Sequence, residues 1–571
     1  RNVSIMRGAV QELWCFMPTD FLAQVQFLRD PTQTHRHLVD GTSYAYHLDL
    51  PAGTDRNADG KVNASSDALN LERAVLVFGL GKGGRSYYAL NVRDPFDPSF
   101  AWTVNPDEAA TVAGQATLNA NKDPKGLYLG NLASDIQKMG FSTAKPAVGR
   151  VLFPHPTNAN AHQFRDVCFL GGGLSSPEME AKFSGNPAMG RLVLALDIYS
   201  GKYMASYDLM TLSGAGTDRS VIDCVPSGVV PFEFFLGTGL TQRLYFADYR
   251  RGLWSIGSGV VNEEGTLFEK FRRDTSQMDN WKKTGGSTAF LRKVFTAPDK
   301  EYFSQLPAPF LVGTYPVPRS TAPMVTPAVT GIALSSGDKH NPTDRFFKAD
   351  TLPSHRLYVL FDRQDGPKEG LTDTAGIPSN KLLNITSATT AAQVDPTSSS
   401  YFLKPTTAGG PTPYYGYTLN FPASYAPSGT IPDVYQFVPK ALTEPIVLVG
   451  TLFYSYFKPG ADYDPCSGGT GDTNSFRICE VFSPKFVDDL SATVNVAPTK
   501  SCETGKVFAW NGLATQFVAR GTQASTQAGL VNVGSGGTGG STETTVQIKT
   551  ATTKQAEQWP RVRTWRSAYD Y

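Results

Sequence analysis

The sequence predicts an all-β protein, and three observations support this fold class. The chain has 571 residues, including 54 glycines and 39 prolines, so turns are frequent. Its 24 tyrosines and 34 phenylalanines favour strands, and long amphipathic helical periods are rare. A short apolar segment, a turn residue and a second apolar segment recur along the chain, which is typical of β-hairpins.

The recurring hairpins share a turn of the form LxLD…G. Four segments show it: Arg85–Val104, Gly190–Leu209, Gln242–Gly259 and His355–Gly366. Such units cannot cover their own faces, so they favour an irregular β-propeller, with seven blades and long loop insertions. A pair of stacked sheets would explain the strands but not the recurring turn. We therefore expect equivalent blade positions for Leu194–Asp197, Tyr245–Asp248 and Tyr358–Asp362.

The remaining elements are one helix and several insertions in a single domain over residues 1–571. Pro18–Asp30 carries apolar residues on one helical face, and Thr19 is a candidate N-cap, so a short helix is expected. Residues 52–67 form an insertion, and residues 533–545 form a Gly/Ser/Thr-rich loop by composition.

Charge and hydropathy exclude two classes of partner. The formal net charge is +1, only 18% of residues are charged, and no basic stripe with interleaved aromatics occurs, so a nucleic-acid partner is not expected. No apolar run is long enough to cross a membrane. Because the chain starts at Arg1, without an initiator Met or a signal peptide, we expect a processed chain or the ordered part of a longer protein.

Six cysteines favour an oxidising compartment, and none forms a CxxC motif. Cys466, Cys479 and Cys502 lie in a loop-rich region, so we expect Cys466 to be oxidised, with Cys479 or Cys502 as its partner. For the other three cysteines, free thiols and disulfides are equally compatible with the sequence. Those residues are Cys15, Cys168 and Cys224.

The segment AGTDRNADGKVNASSD, residues 52–67, has the spacing of a calcium-binding loop. Oxygen side chains stand at positions 1, 3, 5 and 9 of the loop, a glycine stands at position 6, and position 7 offers a backbone carbonyl. The predicted ligands are Asp55, Asn57, Asp59, Lys61 through its carbonyl, and Asn63 or Asp67. With few charged donors, we expect weak binding at roughly 10⁻⁴ to 10⁻³ M. The alternative is a metal-free surface turn.

Other motifs do not indicate catalysis. Gly79–Gly84 fits G-x-G-x-x-G, but a strand-like segment follows where a dinucleotide site has a helix. His35 and His37 would share a strand face without a third ligand. Cys466–Gly471 is better explained as an anchored turn than as a nucleophile loop. With no recognisable catalytic motif, the sequence predicts a non-enzymatic protein.

Several segments resemble the PilY1/PilC family of type IV pilus tip proteins, in family order along the chain. The segments are Glu12–Pro18, His35–Gly41, Ala74–Pro95, Arg243–Ile256, Leu291–Ala297, Thr321–Val329, Glu444–Gly471 and Arg561–Tyr571. The resemblance covers the C-terminal region of the family, which is a modified propeller of the quinoprotein type. The resemblance leads us to expect a chain without the N-terminal family region.

The resemblance implies a pilus tip and biogenesis protein at the cell surface, exported through the periplasm and outer membrane. It would contact minor pilins, support assembly against retraction, and adhere to host or abiotic surfaces. Members of the family carry a calcium loop just before the segment that corresponds to Arg243–Ile256. The residues at that place here, Asp223–Gln242, do not have the spacing of such a loop. Two alternatives remain open: a pyrroloquinoline-quinone dehydrogenase, disfavoured by the lack of a vicinal cysteine pair, and a stand-alone adhesin or lectin.

Overall fold

The structure, a computed structural model, describes residues 13–27, 37–48, 73–154, 162–175, 189–210, 222–232, 241–257, 291–314, 328–363, 376–386, 415–423, 435–459, 471–481, 505–534 and 545–549, with gaps of one to four residues inside several of these ranges. It is mostly β-sheet with few helices, as the sequence predicts. The chain divides into two compact units, which are described separately.

The first unit contains two sheets. In sheet I the strand order is β1–β2–β3–β4. These strands span Ser43–Leu48, Arg73–Gly79, Tyr87–Asn91 and Ser99–Val104. In sheet II the order is β5–β9–β8–β7–β6. These strands span Lys122–Tyr128 for β5, Ala147–Pro154 for β6, His162–Gly171 for β7, Leu192–Asp197 for β8 and Tyr203–Asp208 for β9. All neighbouring strands run antiparallel except β5, which is parallel to β9.

Two helices lie between β4 and β6, one on each side of β5, and the sequence reading missed both. Helix α1 spans Val112–Ala120 and α2 spans Leu132–Gln137. Thr111 Oγ1 accepts the Gly114 N–H at 2.9 Å, and Asn131 Oδ1 accepts the Ala133 N–H at 3.0 Å. These N-caps are the local signals that identify the two helix starts.

The helix expected over Pro18–Asp30 is present in its described part as 3₁₀ turns. One turn covers Thr19–Phe21, and Val25 and Phe27 are also in 3₁₀ conformation. Pro18 occupies the N-cap position. Thr19 Oγ1 lies 3.1 Å from the Tyr88 hydroxyl, so its side chain makes a tertiary contact and does not cap. Phe21 is buried against Leu80 and Tyr88.

The described residues of the second unit form four sheets of three or more strands and one two-stranded ribbon. Sheet III has the order β10–β11–β12–β13–β18, and sheet IV the order β14–β15–β17–β20–β19. The strands of sheet III span Val230–Phe232, Arg243–Asp248, Gly252–Gly257, Leu291–Thr296 and, for β18, Ile377–Pro378. The strands of sheet IV span Ala308–Thr314, Ala328–Ser335, Arg356–Arg363 for β17, Leu383–Asn384 for β19 and Gly416–Asn420 for β20.

The last sheets follow the same antiparallel plan. Sheet V has the order β22–β23–β24–β25, over Ile446–Leu448, Thr451–Pro459, Gly471–Ile478 and Gly505–Asn511. Sheet VI has the order β26–β27–β28, over Ala514–Thr522, Ser525–Gly534 and Thr545–Lys549. A two-stranded ribbon pairs β16, Phe346–Phe347, with β21, Tyr435–Gln436. The predicted loop 533–545 therefore begins inside β27 and ends on β28, and its residues 535–544 lie outside the described part.

Each unit has its own hydrophobic core. In the first unit Val77, Tyr87 and Trp102 pack with apolar residues of sheet II such as Leu194. In the second unit the core centres on strand β17, where Leu357 through Phe361 are all buried, together with Phe295 and Tyr417. Since strands such as β8 are buried on every residue, they read as continuous apolar runs and not as alternating patterns.

Backbone hydrogen bonds join successive sheets in a repeated way. In sheets I, III and IV, the turn between the second and third strands bonds to the segment that precedes its own sheet and to the segment that precedes the next sheet. The bonded N–H and C=O pairs are Asp40–Leu80, Gly81–Ser142, Tyr249–Cys224, Phe303–Tyr249, Gly337–Tyr302 and Ala441–Ser336. The repeat therefore includes the backbone hydrogen bonds that join each of these turns to neighbouring segments, and not only the hairpins themselves.

The expected equivalence of the LxLD segments holds for two of three. Leu194–Asp197 and Tyr358–Asp362 lie in the third strands of the meanders in sheets II and IV. Tyr245–Asp248 lies in the second strand of sheet III, so its expected position is wrong. Asp197 and Asp248 each cap the hairpin turn that follows their strand. Such a turn follows the second strand of a meander as well as the third, so the pattern does not fix the strand's position.

No helix in the described ranges combines the length and the apolar character needed to cross a membrane.

Candidate functional site

The predicted calcium and disulfide residues lie outside the part of the chain that the structure describes. This applies to the whole loop 52–67, with Asp55, Asn57, Asp59, Lys61, Asn63 and Asp67. It applies equally to Cys466, Cys479 and Cys502. The calcium site and the disulfide therefore stay predictions.

The other three cysteines form no disulfide. Cys15 is exposed, whereas Cys168 and Cys224 are completely buried. Burial raises the pKa of the Cys168 thiol well above its ordinary value. Because the thiolate is the reactive form, Cys168 is chemically inert in the fold.

The glycine-rich segment Gly79–Gly84 forms the turn of the β2–β3 hairpin, as the sequence predicts. A 3₁₀ turn at Gly81–Gly83 occupies the place where a dinucleotide site would have a helix. The segment before β1 fills the space that a ligand would need, since a Cβ on Gly83 would lie 1.7 Å from the Leu38 carbonyl oxygen. The Lys82 N–H donates to Asp40 Oδ1 at 2.6 Å, so protein groups take up this donor of the loop.

Only one member of the histidine pair lies in the described part of the chain. His37 Nδ1 lies 3.2 Å from Asp40 Oδ2 on the surface of the first unit, and His35 lies outside the described residues. Within the described ranges, no group of three or more His, Cys, Asp or Glu residues is placed to hold a metal ion.

The aspartate of the recurring turn caps the backbone that follows it. Asp197 Oδ1 accepts the N–H groups of Tyr199 and Ser200 at 3.2 and 2.9 Å. Asp248 Oδ1 accepts the N–H groups of Arg250 and Gly252 at 3.2 and 3.1 Å. Each carboxylate thereby satisfies two turn donors, which explains why the LxLD pattern recurs.

The turn capped by Asp197 requires glycine at position 201, both for its backbone conformation and for lack of space. Gly201 has a φ of +66°, and a Cβ there would lie 2.5 Å from the Trp102 side chain. Trp102, on β4 of sheet I, donates its Nε1–H to the Ile198 carbonyl at 2.8 Å. The turn of sheet II is therefore a docking point for a tryptophan of sheet I.

A cluster of buried polar residues joins sheet IV to the segment that leads into it. Glu301 is 1% exposed, and the Tyr358 hydroxyl lies 2.7 Å from both of its carboxylate oxygens. Arg356 Nε forms an ion pair with Glu301 Oε1 at 2.8 Å, and Ser336 also hydrogen-bonds the carboxylate. We call Glu301, Ser336, Arg356 and Tyr358 the Glu301 cluster.

A second cluster lies on the neighbouring turn. Asp338 Oδ2 accepts the Tyr249 hydroxyl and the Asn341 side-chain amide, each at 2.7 Å. Lys440 is completely buried, attracts Asp338 electrostatically, and donates to the Asn341 carbonyl at 3.2 Å. We call Tyr249, Asp338, Asn341 and Lys440 the Asp338 cluster. It connects residues of sheet III, the β15–β17 connection and the segment before sheet V.

Burial shifts the protonation equilibria of three groups in this region. It raises the pKa of Glu301 to about 7, a shift that Arg356, Tyr358 and Ser336 oppose by stabilising the anion. It lowers the pKa of Lys440 to about 7, which the Asp338 charge opposes. His355, buried beside Arg356, has a pKa lowered to about 3 by burial and by that charge, so its ring is neutral.

The two clusters resemble structural joints more than a catalytic site. The carboxylate of Glu301 is engaged by protein donors. Perturbed carboxyl and lysine pKa values also occur at active sites, but here Glu301 and Lys440 are both buried. Their arrangement can hold neighbouring sheets together and make that contact sensitive to pH.

Sequence reasoning missed both clusters. Glu301, Asp338 and Lys440 stand in irregular connecting segments, where no period marks a residue as buried. The available signal was a single charged residue among apolar neighbours, as in FVPKAL around Lys440. Such a residue is more often exposed, so the signal alone does not identify a buried charge.

The chain is similar to a solved structure, but it matches no known family model. No protein-family model matches the chain, and no curated protein sequence matches it. Among solved structures, the chain is similar to the crystal structure of the C-terminal domain of PilY1 from Pseudomonas aeruginosa. That match has 14% sequence identity and a TM-score of 0.47, and it covers 92% of this chain and 87% of that chain.

Proposed function

We propose that this chain is a non-enzymatic type IV pilus tip and biogenesis protein of the PilY1/PilC kind. The carrying observation is the end-to-end order of family-like motifs, two of which occupy the same place in different sheets. Ala74–Pro95 contains β2 and β3 of sheet I, and Arg243–Ile256 contains β11 and β12 of sheet III. Each pair is the second and third strand of its meander, so the motifs recur as equivalent structural units.

The proposed architecture is a β-propeller of seven blades. Antiparallel meanders of four strands in sheets I to V support radial repetition. The repeated backbone bonds in sheets I, III and IV also support it, since the turn between the second and third strands bonds to the segments before its own sheet and before the next. In this proposal the rigid propeller acts at the outer end of the pilus. It contacts minor pilins, opposes retraction and presents a surface for adhesion.

Pilus counts test the proposed role. In the bacterium that encodes this chain, we expect an in-frame deletion to remove most surface pili in electron micrographs. Inactivating the retraction motor in the same strain should restore them, because the pili are then no longer withdrawn. Normal piliation after the single deletion would contradict the proposal. If surface or glycan binding were lost at normal piliation, a stand-alone adhesin would explain the chain instead.

The proposed calcium site is the loop 52–67, with Asp55, Asn57 and Asp59 as side-chain ligands. Calorimetric titration should show one calcium bound by the wild type at roughly 10⁻⁴ to 10⁻³ M. Asp59→Ala should abolish the heat of binding, whereas the control Glu108→Ala, at an exposed residue of the same unit, should retain it. Millimolar calcium should stabilise the wild type by about 1 kcal/mol. Equal uptake by Asp59→Ala and the wild type would contradict this site.

A further inference from the structure

Two segments of the second unit meet at the Asp338 cluster, and their backbones are fixed there. Lys440 exchanges two backbone hydrogen bonds with β23, at 3.0 and 2.8 Å. The next residue, Ala441, donates its N–H to the Ser336 carbonyl at 3.1 Å. At Gly337 the two segments are so close that a Cβ would lie 2.2 Å from the Ala441 carbonyl oxygen. The side chains that extend from these segments therefore meet in a defined geometry.

The side chains of this cluster form a series of short contacts. The Lys440 Nζ donates to the backbone carbonyl of Asn341 at 3.2 Å. The Asn341 Nδ2 donates to Asp338 Oδ2 at 2.7 Å, and the Tyr249 hydroxyl lies 2.7 Å from the same oxygen. In asparagine the side-chain amide carbon is close to the backbone carbonyl of the same residue. Rotation of the flexible lysine side chain therefore brings its nitrogen to that amide carbon.

Water is excluded from the reacting side of this cluster. Asp338 is 1% exposed, and Tyr249 and Lys440 are completely buried. Burial lowers the pKa of Lys440 to about 7, against the attraction of the Asp338 charge, so much of the amine is neutral near neutral pH. A neutral, desolvated lysine amine is a nucleophile, whereas the ammonium ion has no lone pair to donate.

We propose that Lys440 and Asn341 form an intramolecular isopeptide bond. The Nζ atom attacks the Asn341 Cγ, and a new C–N bond forms. Asp338 takes one proton from Nζ and passes it to the Asn341 Nδ2, to which it is already hydrogen-bonded. The bond between Cγ and Nδ2 then breaks, and ammonia leaves. An amine and a primary amide thus become a secondary amide and ammonia, without an oxidant, a reductant or a second molecule.

The residue after Asn341 removes a common competing reaction of its side chain. The side chain of an asparagine ordinarily closes on the backbone nitrogen of the next residue, and this ring closure also releases ammonia. Here the next residue is Pro342, which has no backbone N–H. The Asn341 amide therefore stays intact for another amine, and the Lys440 amine is held at this residue.

The isopeptide bond ties together chain positions that are 99 residues apart. One end lies in the β15–β17 connection, and the other lies in the segment before sheet V. Closing a loop of this length restricts the unfolded chain, as a disulfide does. The two segments therefore stay joined when force or heat opens the hydrogen bonds between them. This inference does not depend on a role at the pilus.

The intact mass of the reduced, denatured full chain tests the proposal without any substitution. We expect a mass below the sequence mass by one ammonia, and a peptide map in which the peptides that contain Lys440 and Asn341 are joined. Lys440→Arg should have its full sequence mass. The control Lys339→Arg changes the lysine next to Asp338 in the chain and should still lose ammonia.

Two results of this measurement would overturn the proposal. One is a wild type with its full sequence mass. The other is the loss of one water with Lys440 joined to Asp338, which would assign the bond to the carboxylate and not to the asparagine.

Migration in a reducing, denaturing gel gives a second measurement. The closed loop makes the unfolded chain more compact, so the wild type should migrate faster than Lys440→Arg and Asn341→Ala, and Lys339→Arg should migrate with the wild type. Because unfolded chains are compared, a variant that folds poorly still gives a result. Equal migration of the wild type and Lys440→Arg would contradict the bond.

Discussion

Buried charges in the second unit are held by short, specific contacts, and Glu301 is the clearest case. Its carboxylate is enclosed between a connecting segment and β17, with a tyrosine and an arginine as neighbours. Burial penalises the anion more than these neighbours stabilise it, so the net effect is a raised pKa. A group of this kind makes stability depend on pH.

Replacing Glu301 by Gln should change the pH dependence of stability. The folded pKa, about 7, lies above the unfolded value near 4.3, so the folded state binds this proton more tightly. The contribution of Glu301 is therefore fully present below about pH 4 and is lost as the pH rises through 7. Relative to Glu301→Gln, the wild type should lose about 3 kcal/mol of unfolding free energy between pH 4 and pH 8.

Denaturant unfolding of both proteins across this pH range measures the effect. Glu108→Gln, at an exposed position, is the control and should follow the wild-type curve. Parallel curves for Glu301→Gln and the wild type would show that Glu301 keeps the same protonation state in the folded and unfolded chains.

At the scale of elements, the hairpin turns depend on carboxylates that replace missing backbone acceptors. Asp248 is fully buried, and besides two turn N–H groups it accepts the Trp254 Nε1–H at 2.6 Å. Asp94 makes a comparable but partly exposed contact, a single bond from the Phe96 N–H at 2.9 Å. The same residue type thus serves two turns that differ in burial and in bond count.

Asp248→Ala should cost about 3 kcal/mol, because it removes the acceptor of two buried donors and one half-buried donor. Asp94→Ala should cost about 0.5 kcal/mol, since water can replace its one bond. Asp248→Asn should recover part of the loss through its side-chain oxygen. Urea unfolding of the three variants gives these values, and equal losses in Asp248→Ala and Asp94→Ala would contradict the capping role.

At the scale of the whole molecule, the sheets repeat one plan. Sheets II, III and IV share a four-stranded meander and a parallel covering strand. Repeated units of this size favour closure into a ring, because closure covers the faces that each sheet cannot bury alone.

An experimental structure of the intact protein should therefore show the sheets arranged radially as seven blades around one axis. Two sheets stacked face to face would contradict the propeller, whatever the number of strands.

The sequence by itself determined the fold class, the hairpins and their turns, because these depend on neighbours within a few residues. The alternation of apolar residues, the LxLD turn and the glycine at Gly201 or Gly252 all act locally. The turn at Gly79–Gly84 was distinguishable from a dinucleotide site for the same reason. Helices α1 and α2 were missed although Thr111 and Asn131 marked their starts, because their short segments lack a strong apolar period.

Only the tertiary structure decided which strands meet and where charge is buried. Glu301 and Tyr358 are 57 residues apart, and the Tyr245 hydroxyl reaches Asp362 across 117 residues. Strands β18 and β19, from one short segment, cover the edges of two different sheets. No local period encodes such partners, since the free energy that favours them comes from desolvation and hydrogen bonding after the sheets have assembled.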